Sequence, residues 1–299
     1  MLRQTRLALL VALLPAGAQA LTPISQQREV SIAIERETRV CPLNLQFPHC
    51  TTGPQTEITI ENFSDSEAAP DLADFTATAS VPGFAESSSD LVSTLGTSAL
   101  TAEGSRTAWA PFGGGVDLPN GILTEIFEDH VTSSRYEVTF ELTEATSYAL
   151  EGTLEIYTNV YSAAADDASL SLTGPGGQVI ASLDLLGERD CVPPEIDCTL
   201  SASLSETGVL AAGTYTLAAA THGRAKTLGH SPDSDSGSFA LSLELSAPAV
   251  PLLPPAALPL LGAALLGIAA RQGVTTIFPK KRRSSSRRTA SMPRESGST

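Results

Sequence analysis

The feature that most constrains this chain is an alternation of apolar and polar residues with a period of two. From Arg135 to Ser246 it recurs in one short run after another. RYEVTFELTE sets Tyr136, Val138, Phe140 and Leu142 on one side. YALEGTLEIYTNVY does the same with Leu150, Leu154 and Ile156, with Val160 in phase, and GSFALSLELS with Phe239, Leu241, Leu243 and Leu245. Successive side chains of a strand point to opposite faces, so each run reads as a strand with one buried face. ASLSLTGPGGQVIASLDL reads as two strands around Gly174-Pro175-Gly176-Gly177, and Ala211-Ala212-Gly213 turns the chain ahead of Tyr215 and Leu217. Outside the termini no stretch of a dozen residues carries a helical period. The pattern predicts an all-β chain whose residues 134–246 form an antiparallel, jelly-roll-like β-sandwich.

The segment 21–133 is less regular. REVSIAIERETRV (28–40), QTEITIENF (55–63) and FTATASV (75–81) alternate and read as strands. Between 82 and 133 the rhythm fades, and AESSSD, FGGG and LPNG read as turns or loops. Trp109, Phe112 and Phe127 are the expected anchors there. This N-terminal β region is either a smaller partner domain or extra strands of one sandwich, and its irregularity favours a separate region.

The two ends predict an address. Arg3 and Arg6 precede an apolar core, Leu7 to Leu14, and Ala18-Gln19-Ala20 is a small-x-small cleavage site. Residues 1–20 therefore read as a signal peptide passed to the export machinery. No charge occurs from Leu245 to Ala270. About 20 apolar residues span a bilayer. Pro254, Pro255 and Pro259 place the start of a transmembrane helix near Pro255, running towards Phe278 within segment 247–278. Residues 279–299 follow as a disordered basic tail, and Lys280, Lys281, Arg282, Arg283, Arg287 and Arg288 act as its stop-transfer cluster.

VPLLPPAALPLLGAALLGIAA resembles the VPLPA-type, PEP-CTERM-like sorting signals of bacterial exported proteins. The matching residues are Val250, Pro251, Leu252, Pro254, Pro255 and Ala256; Leu253 is extra, and serine-rich basic sequence continues to Thr299. The resemblance implies tethering by the tail and processing by an exosortase-like enzyme. Separately, GVLAAGTYTLAAA (208–220) and SGSFALSLEL (236–245) are similar to strands of the pre-peptidase C-terminal type of β-sandwich module.

Charge is divided along the chain. Residues 21–246 carry 32 acidic and 8 basic side chains, whereas the tail from Arg271 is basic, within a net charge of −15. An acidic exterior disfavours nucleic acid as a partner. Cys41 with Cys50 and Cys191 with Cys198 each bracket a short proline-containing loop. Export suits disulfides, and these local pairings are the favoured ones of three possible.

Catalytic motifs are lacking: there is no G-x-S-x-G elbow, H-E-x-x-H helix, P-loop or dinucleotide fingerprint. His49, His130, His222 and His230 read as surface or loop residues, and Glu141, Glu144, Glu151 and Glu155 as a solvated strand face. The one cofactor candidate is calcium on Asp233 and Asp235 of GHSPDSDSGS, but the string lacks a bidentate glutamate and a hydrophilic turn is the favoured reading of it. Asp166 and Asp167 sit in a second expected loop. The expectation is a non-enzymatic, exported protein of the cell envelope or extracellular matrix, with a polysaccharide or an envelope protein as its partner. The alternatives are a secreted hydrolase carrying an accessory sandwich and a single-pass receptor with a basic cytoplasmic tail.

Overall fold

A computed structural model describes residues 21–43, 49–50, 56–84, 86–117, 119–159, 166–187, 197–227 and 232–247. Thirteen strands occur among them. They are β1 (Thr22–Pro42), β2 (Glu57–Ala68), β3 (Phe75–Ser80), β4 (Ser88–Leu95), β5 (Ala99–Ala110), β6 (Gly113–Asp117) and β7 (Ile122–Leu142). The second half contributes β8 (Thr146–Asn159), β9 (Asp167–Thr173), β10 (Val179–Leu186), β11 (Asp197–Leu210), β12 (Gly213–Lys226) and β13 (Asp233–Ser246).

The strands form two antiparallel sheets that pack as a sandwich. The first has the order β10-β9-β12-β7-β1-β2, with β6 paired to β7, and the second has the order β11-β8-β13-β5-β4-β3. The expected division at residue 133 is therefore corrected. That boundary falls inside β7, where Ser133 pairs with Ser31 of β1 on one side and His222 of β12 on the other. In the second sheet β13 lies between β5 and β8. Strands from both halves of the chain alternate, so residues 21–133 are extra strands of one sandwich. Two further corrections lie in 82–133: Ser88 and Ser89 of AESSSD begin β4, and the glycines of FGGG begin β6.

Where large apolar residues set the alternation, the expected faces are the observed ones. Tyr136, Val138, Phe140, Leu142, Leu150, Leu154, Ile156, Phe239, Leu241, Leu243 and Leu245 are all buried in one core. Phe140 stacks on Tyr215 with ring centroids 5.7 Å apart. The glycine-rich turn joins β9 to β10 through a short 3₁₀ turn, in which Gly176 and Gly177 have φ of 75° and 80°. Those angles suit residues without a Cβ. Glu141, Glu144, Glu151 and Glu155 are exposed, as expected. Arg28, fully buried, ties the 71–73 bend to the sandwich through Asp71 O and Ala73 O, each at 2.7 Å, and Ser93 Oγ at 3.0 Å.

The core changes character along its length. On β7 the inward residues run from Leu142, Phe140, Val138 and Tyr136 to Ser134, Thr132, His130 and Glu128. On β13 they run from Leu245 through Phe239 to Gly237, Asp235 and Asp233. On β12 they pass from Leu217 and Ala219 to Thr221 and Gly223, and on β5 from Leu100 and Ala102 to Arg106. The registers Phe239↔Gly104, Gly237↔Arg106 and Thr221↔Ser134 put these changes at a common level. One end of the sandwich is thus packed with polar side chains.

No helix among the described residues is long and apolar enough to cross a membrane. The expected signal peptide, the helix from Pro255, the sorting motif Val250–Ala256 and the basic cluster all lie outside the described residues.

Candidate functional site

The polar end contains two constellations. The first surrounds Arg106 of β5, whose side chain has no solvent exposure. Its Nε donates to Thr221 Oγ1 at 2.9 Å, and Nη1 pairs with Asp235 Oδ2 of β13. Two glycines make the room. A Cβ on Gly223 would fall on Arg106 Nη1 and Asp235 Oδ2, and one on Gly237 would fall on Thr221 Oγ1. Asp166, just before β9, completes the group. Its Oδ1 accepts the Arg224 backbone N–H at 3.2 Å, and its carboxyl adjoins that of Asp235.

Electrostatics fixes the proton inventory of this group. One guanidinium and two carboxylates would leave a net negative charge sealed from water, which is costly. Burial pushes Asp235 up to about 8, against the pull of Arg106, and burial also raises Asp166. Asp166 Oδ2 and Asp235 Oδ1 find no donor among their neighbours. A single proton shared by the two hydrogen-bonded carboxyls makes the cluster neutral.

The second constellation lines a cleft of 390 Å³ at the same end, between β1, the 81–87 turn, the end of β5 and β7. Arg36 lies 4.4 Å above the Phe84 ring and donates to Glu128 Oε1 from Nε at 2.8 Å and Nη2 at 2.7 Å. Glu128 Oε2 is 2.8 Å from His130 Nε2, and His130 Nδ1 is 2.8 Å from Ser87 Oγ. Ser87 Oγ in turn accepts the Trp109 backbone N–H at 2.9 Å. With the Ser87 hydroxyl donating to Nδ1, Nε2–H donates to Glu128. Burial alone would raise Glu128, but hydrogen bonds from His130 and Arg36 outweigh it and hold the carboxylate below its ordinary range.

Serine, histidine and carboxylate in series are the parts of a nucleophile relay. Ser87, however, is 1% exposed and His130 is 1% exposed. The serine oxygen is bonded on both sides, to His130 and to the Trp109 backbone. What the relay does in this fold is pin the Trp109 backbone to the β7 strand.

The sequence-predicted residues fall as follows. Asp233 and Asp235 are inward positions of β13 and not loop residues. Asp233 accepts backbone N–H groups from Lys226 and Ser234, both at 2.9 Å, while Asp235 is taken by Arg106. Both are buried side chains of β13, and no group of three or more His, Cys, Asp or Glu side chains that could hold a metal ion occurs among the described residues. Asp167 opens β9 and Asp166 is buried. His130 is a core residue and not a surface one, whereas His49 sits half-exposed beside Glu125, with Nδ1 3.1 Å from Oε1. His230 lies outside the described residues. Cys41 and Cys50 form the expected disulfide, with Cα atoms 5.6 Å apart. The buried Glu125 holds that loop by accepting the Cys50 backbone N–H at 3.0 Å. Cys198 is disulfide-bonded, and Cys191 lies outside the described residues. Phe127, an expected anchor, packs 6.1 Å from Phe112 and beneath Arg39.

No protein-family model matches the sequence, and no curated protein matches it. Among solved structures, an arabinose-bound α-L-arabinofuranosidase aligns at 12% identity and a TM-score of 0.20, covering 58% of this chain and 26% of its own. The infectious bursal disease virus Gx strain aligns at 14% identity and 0.19, covering 78% of this chain and 58% of its own. The VP2 subviral particle of infectious bursal disease virus aligns at 10% identity and 0.17, covering 86% and 75%. The chain thus spans about a quarter of the first and under two thirds of the second. Likeness of this degree carries no inference about fold or activity.

Proposed function

We propose that this is an exported, non-enzymatic protein of the cell envelope or extracellular matrix. Its jelly-roll-like sandwich is the displayed part, and its C-terminal VPLPA-like segment is the tethering and sorting handle. The observation that supports this most is the Cys41–Cys50 disulfide. Such bonds persist in oxidising compartments, which agrees with the leader-like residues 1–20. The test is fractionation of the producing cell with intact-mass analysis. The proposal expects a surface or extracellular product that begins near Leu21; a cytosolic product that retains residues 1–20 refutes it. Loss of everything after about Val250 supports sorting by cleavage, whereas a retained tail would mark a permanent anchor.

The Ser87–His130–Glu128 series favours a second reading, a secreted hydrolase. Labelling with a fluorophosphonate probe separates the two. The display reading expects Ser87 to stay unmodified in the folded chain, and stoichiometric labelling lost in Ser87→Ala selects the hydrolase.

A further inference from the structure

The outer face of the second sheet has a composition of its own. On β5, β13, β8 and β11 the outward positions are mostly serine and threonine: Ser105 and Thr107, Ser236 and Ser238, Thr153, and Ser201 are typical. Among the described residues of this sheet, two aromatic rings face outward: Trp109 on β5 and Tyr157 on β8. Trp109 pairs across with Ser234 of β13, and Tyr157 with Ser236 of the same strand. The rings therefore flank β13, two strands apart and offset by two residues. Strand spacing and rise place them about 12 Å apart.

Between and beside them run two shallow depressions. One, of 280 Å³, is lined by Glu86, Thr107, Trp109, Tyr157, Ser234 and Ser236. The other, of 300 Å³, adds Ser88, Asp90, Ser105, Glu155 and Ser238. They share Thr107, Tyr157 and Ser236, so they form one groove across the strands. Trp109 and Glu86 also line the 390 Å³ end cleft, which extends the groove past the indole.

We propose that this groove binds a neutral, extended polysaccharide chain; the idea rests on the display function above and names its ligand class. A pyranose ring presents an apolar C–H face that stacks on an aromatic ring, and a rim of hydroxyls that pairs with hydroxyl and carboxylate groups. Two rings separated by a floor of small hydroxyls offer that combination over the length of a short oligosaccharide. Charge excludes the obvious competitor. Glu86, Asp90 and Glu155 line the groove, and Arg106, the basic residue in its lining, has no exposed side chain. An anionic polymer would be repelled. An envelope protein would need an apolar centre, and the floor here is hydroxyl. The platform is also rigid. The Trp109 backbone is bonded to Ser87, which is held by His130, so little order remains to be imposed on binding.

The chain has a single tryptophan, so its fluorescence reports directly on the groove. The experiment is affinity electrophoresis of the full-length chain through gels containing hydroxyethylcellulose, arabinoxylan or mixed-linkage β-glucan, with alginate as the anionic comparison. It is joined by fluorescence titration with cellohexaose and xylohexaose. The proposal expects retardation by at least one neutral polymer, none by alginate, and a saturable fluorescence change with the matching hexasaccharide. Trp109→Ala and Tyr157→Ala each weaken retardation by about tenfold. Tyr157→Ala keeps the test decisive if Trp109→Ala does not fold. Passage of the wild-type chain through all three neutral gels unretarded overturns the proposal. So does wild-type binding by a folded Tyr157→Ala variant, or equal retardation by alginate. Location does not enter this assay, so a cytosolic product in fractionation sinks the display function alone, and absent retardation of a surface protein sinks the groove alone.

Discussion

The neutral Arg106–Asp235–Asp166 cluster makes this protein's stability fall as pH rises from about 4 to about 8, and Asp166→Asn should abolish that dependence. The folded state raises Asp235 to about 8, and an aspartate in the unfolded chain titrates near 3.9. The folded protein therefore binds the shared proton more tightly than the unfolded one. The stability this contributes is fully present below the unfolded value and is lost as pH rises through the folded value. A displacement of about four units at ~1.4 kcal/mol each bounds the loss at ~6 kcal/mol. About three of those four units lie between pH 5 and the folded value, which bounds the loss over pH 5 to pH 9 at ~4 kcal/mol, and relaxation around a buried pair lowers it to ~2–4 kcal/mol. That is a large share of the stability of an ordinary domain.

An asparagine at position 166 replaces the shared proton with a permanent donor. Its oxygen can still accept the Arg224 N–H, and its amide nitrogen can donate to Asp235 Oδ1. Asp235 then ionises beside Arg106 at little cost. The assay is urea denaturation at intervals from pH 5 to pH 9. Wild type should lose stability across this range, and Asp166→Asn should stay level and exceed wild type at pH 9. A flat wild-type profile, or a variant with the same slope as wild type, would refute the shared-proton account.

Three further outcomes follow from the same geometry. Gly223→Ala drives a methyl group into the Arg106–Asp235 pair and should destabilise by at least ~2 kcal/mol in the same assay; an unchanged midpoint would show that the pair has slack. His130→Ala leaves buried Glu128 and Ser87 each short of a partner and should cost ~2–3 kcal/mol. It should also flatten the loss of stability as pH falls, because Glu128 then titrates closer to its unfolded value and less stabilisation by its ionised form remains to be lost; an acid profile parallel to that of wild type would contradict that. Cys41→Ser opens a loop with a sequence separation of 9 and should lower stability by ~2–3 kcal/mol, measured against wild type under oxidising conditions. Equal midpoints would mean that Glu125 alone secures the loop.

How far the fold was legible depended on which side chains fill the inward positions. β8, β9, β12 and β13 carry Leu, Ile, Phe or Tyr on the buried face, so the contrast between faces is large and the strands are plain in the sequence. β5 buries Ala102, Gly104, Arg106, Ala108 and Ala110 after Leu100, and exposes Glu103, Ser105 and Thr107. Small and charged residues occupy both faces, so the contrast disappears although the geometry is unchanged. The same loss hid the first half of β7. With those two strands obscured, 21–133 looked like a separate region, because the strands joining it to the rest were the illegible ones.

The candidate site was illegible for the same reason, yet it left a trace. Counting back by twos from Tyr136 gives Ser134, Thr132, His130 and Glu128, and from Phe239 gives Gly237, Asp235 and Asp233. Phase alone therefore places a histidine, a glutamate and two aspartates inside the sandwich, where an isolated ionisable group is too costly to persist. Each must have a partner, and the partners had to come from other strands. Arg36 reaches Glu128 across 92 residues of sequence, and Arg106 reaches Asp235 across 129. No local pattern encodes such pairings; they follow from sheet order. That is why the aspartates of GHSPDSDSGS looked like a cation loop: their spacing was visible and the cation that serves them, the Arg106 guanidinium, was not. Ser87 had still less to mark it, since it lies in a turn and gains its partners only when β5 and β7 close over it. Extending an alternating phase into polar sequence, and asking what each inward charge must meet, recovers the inward half of this site and leaves its partners to the topology.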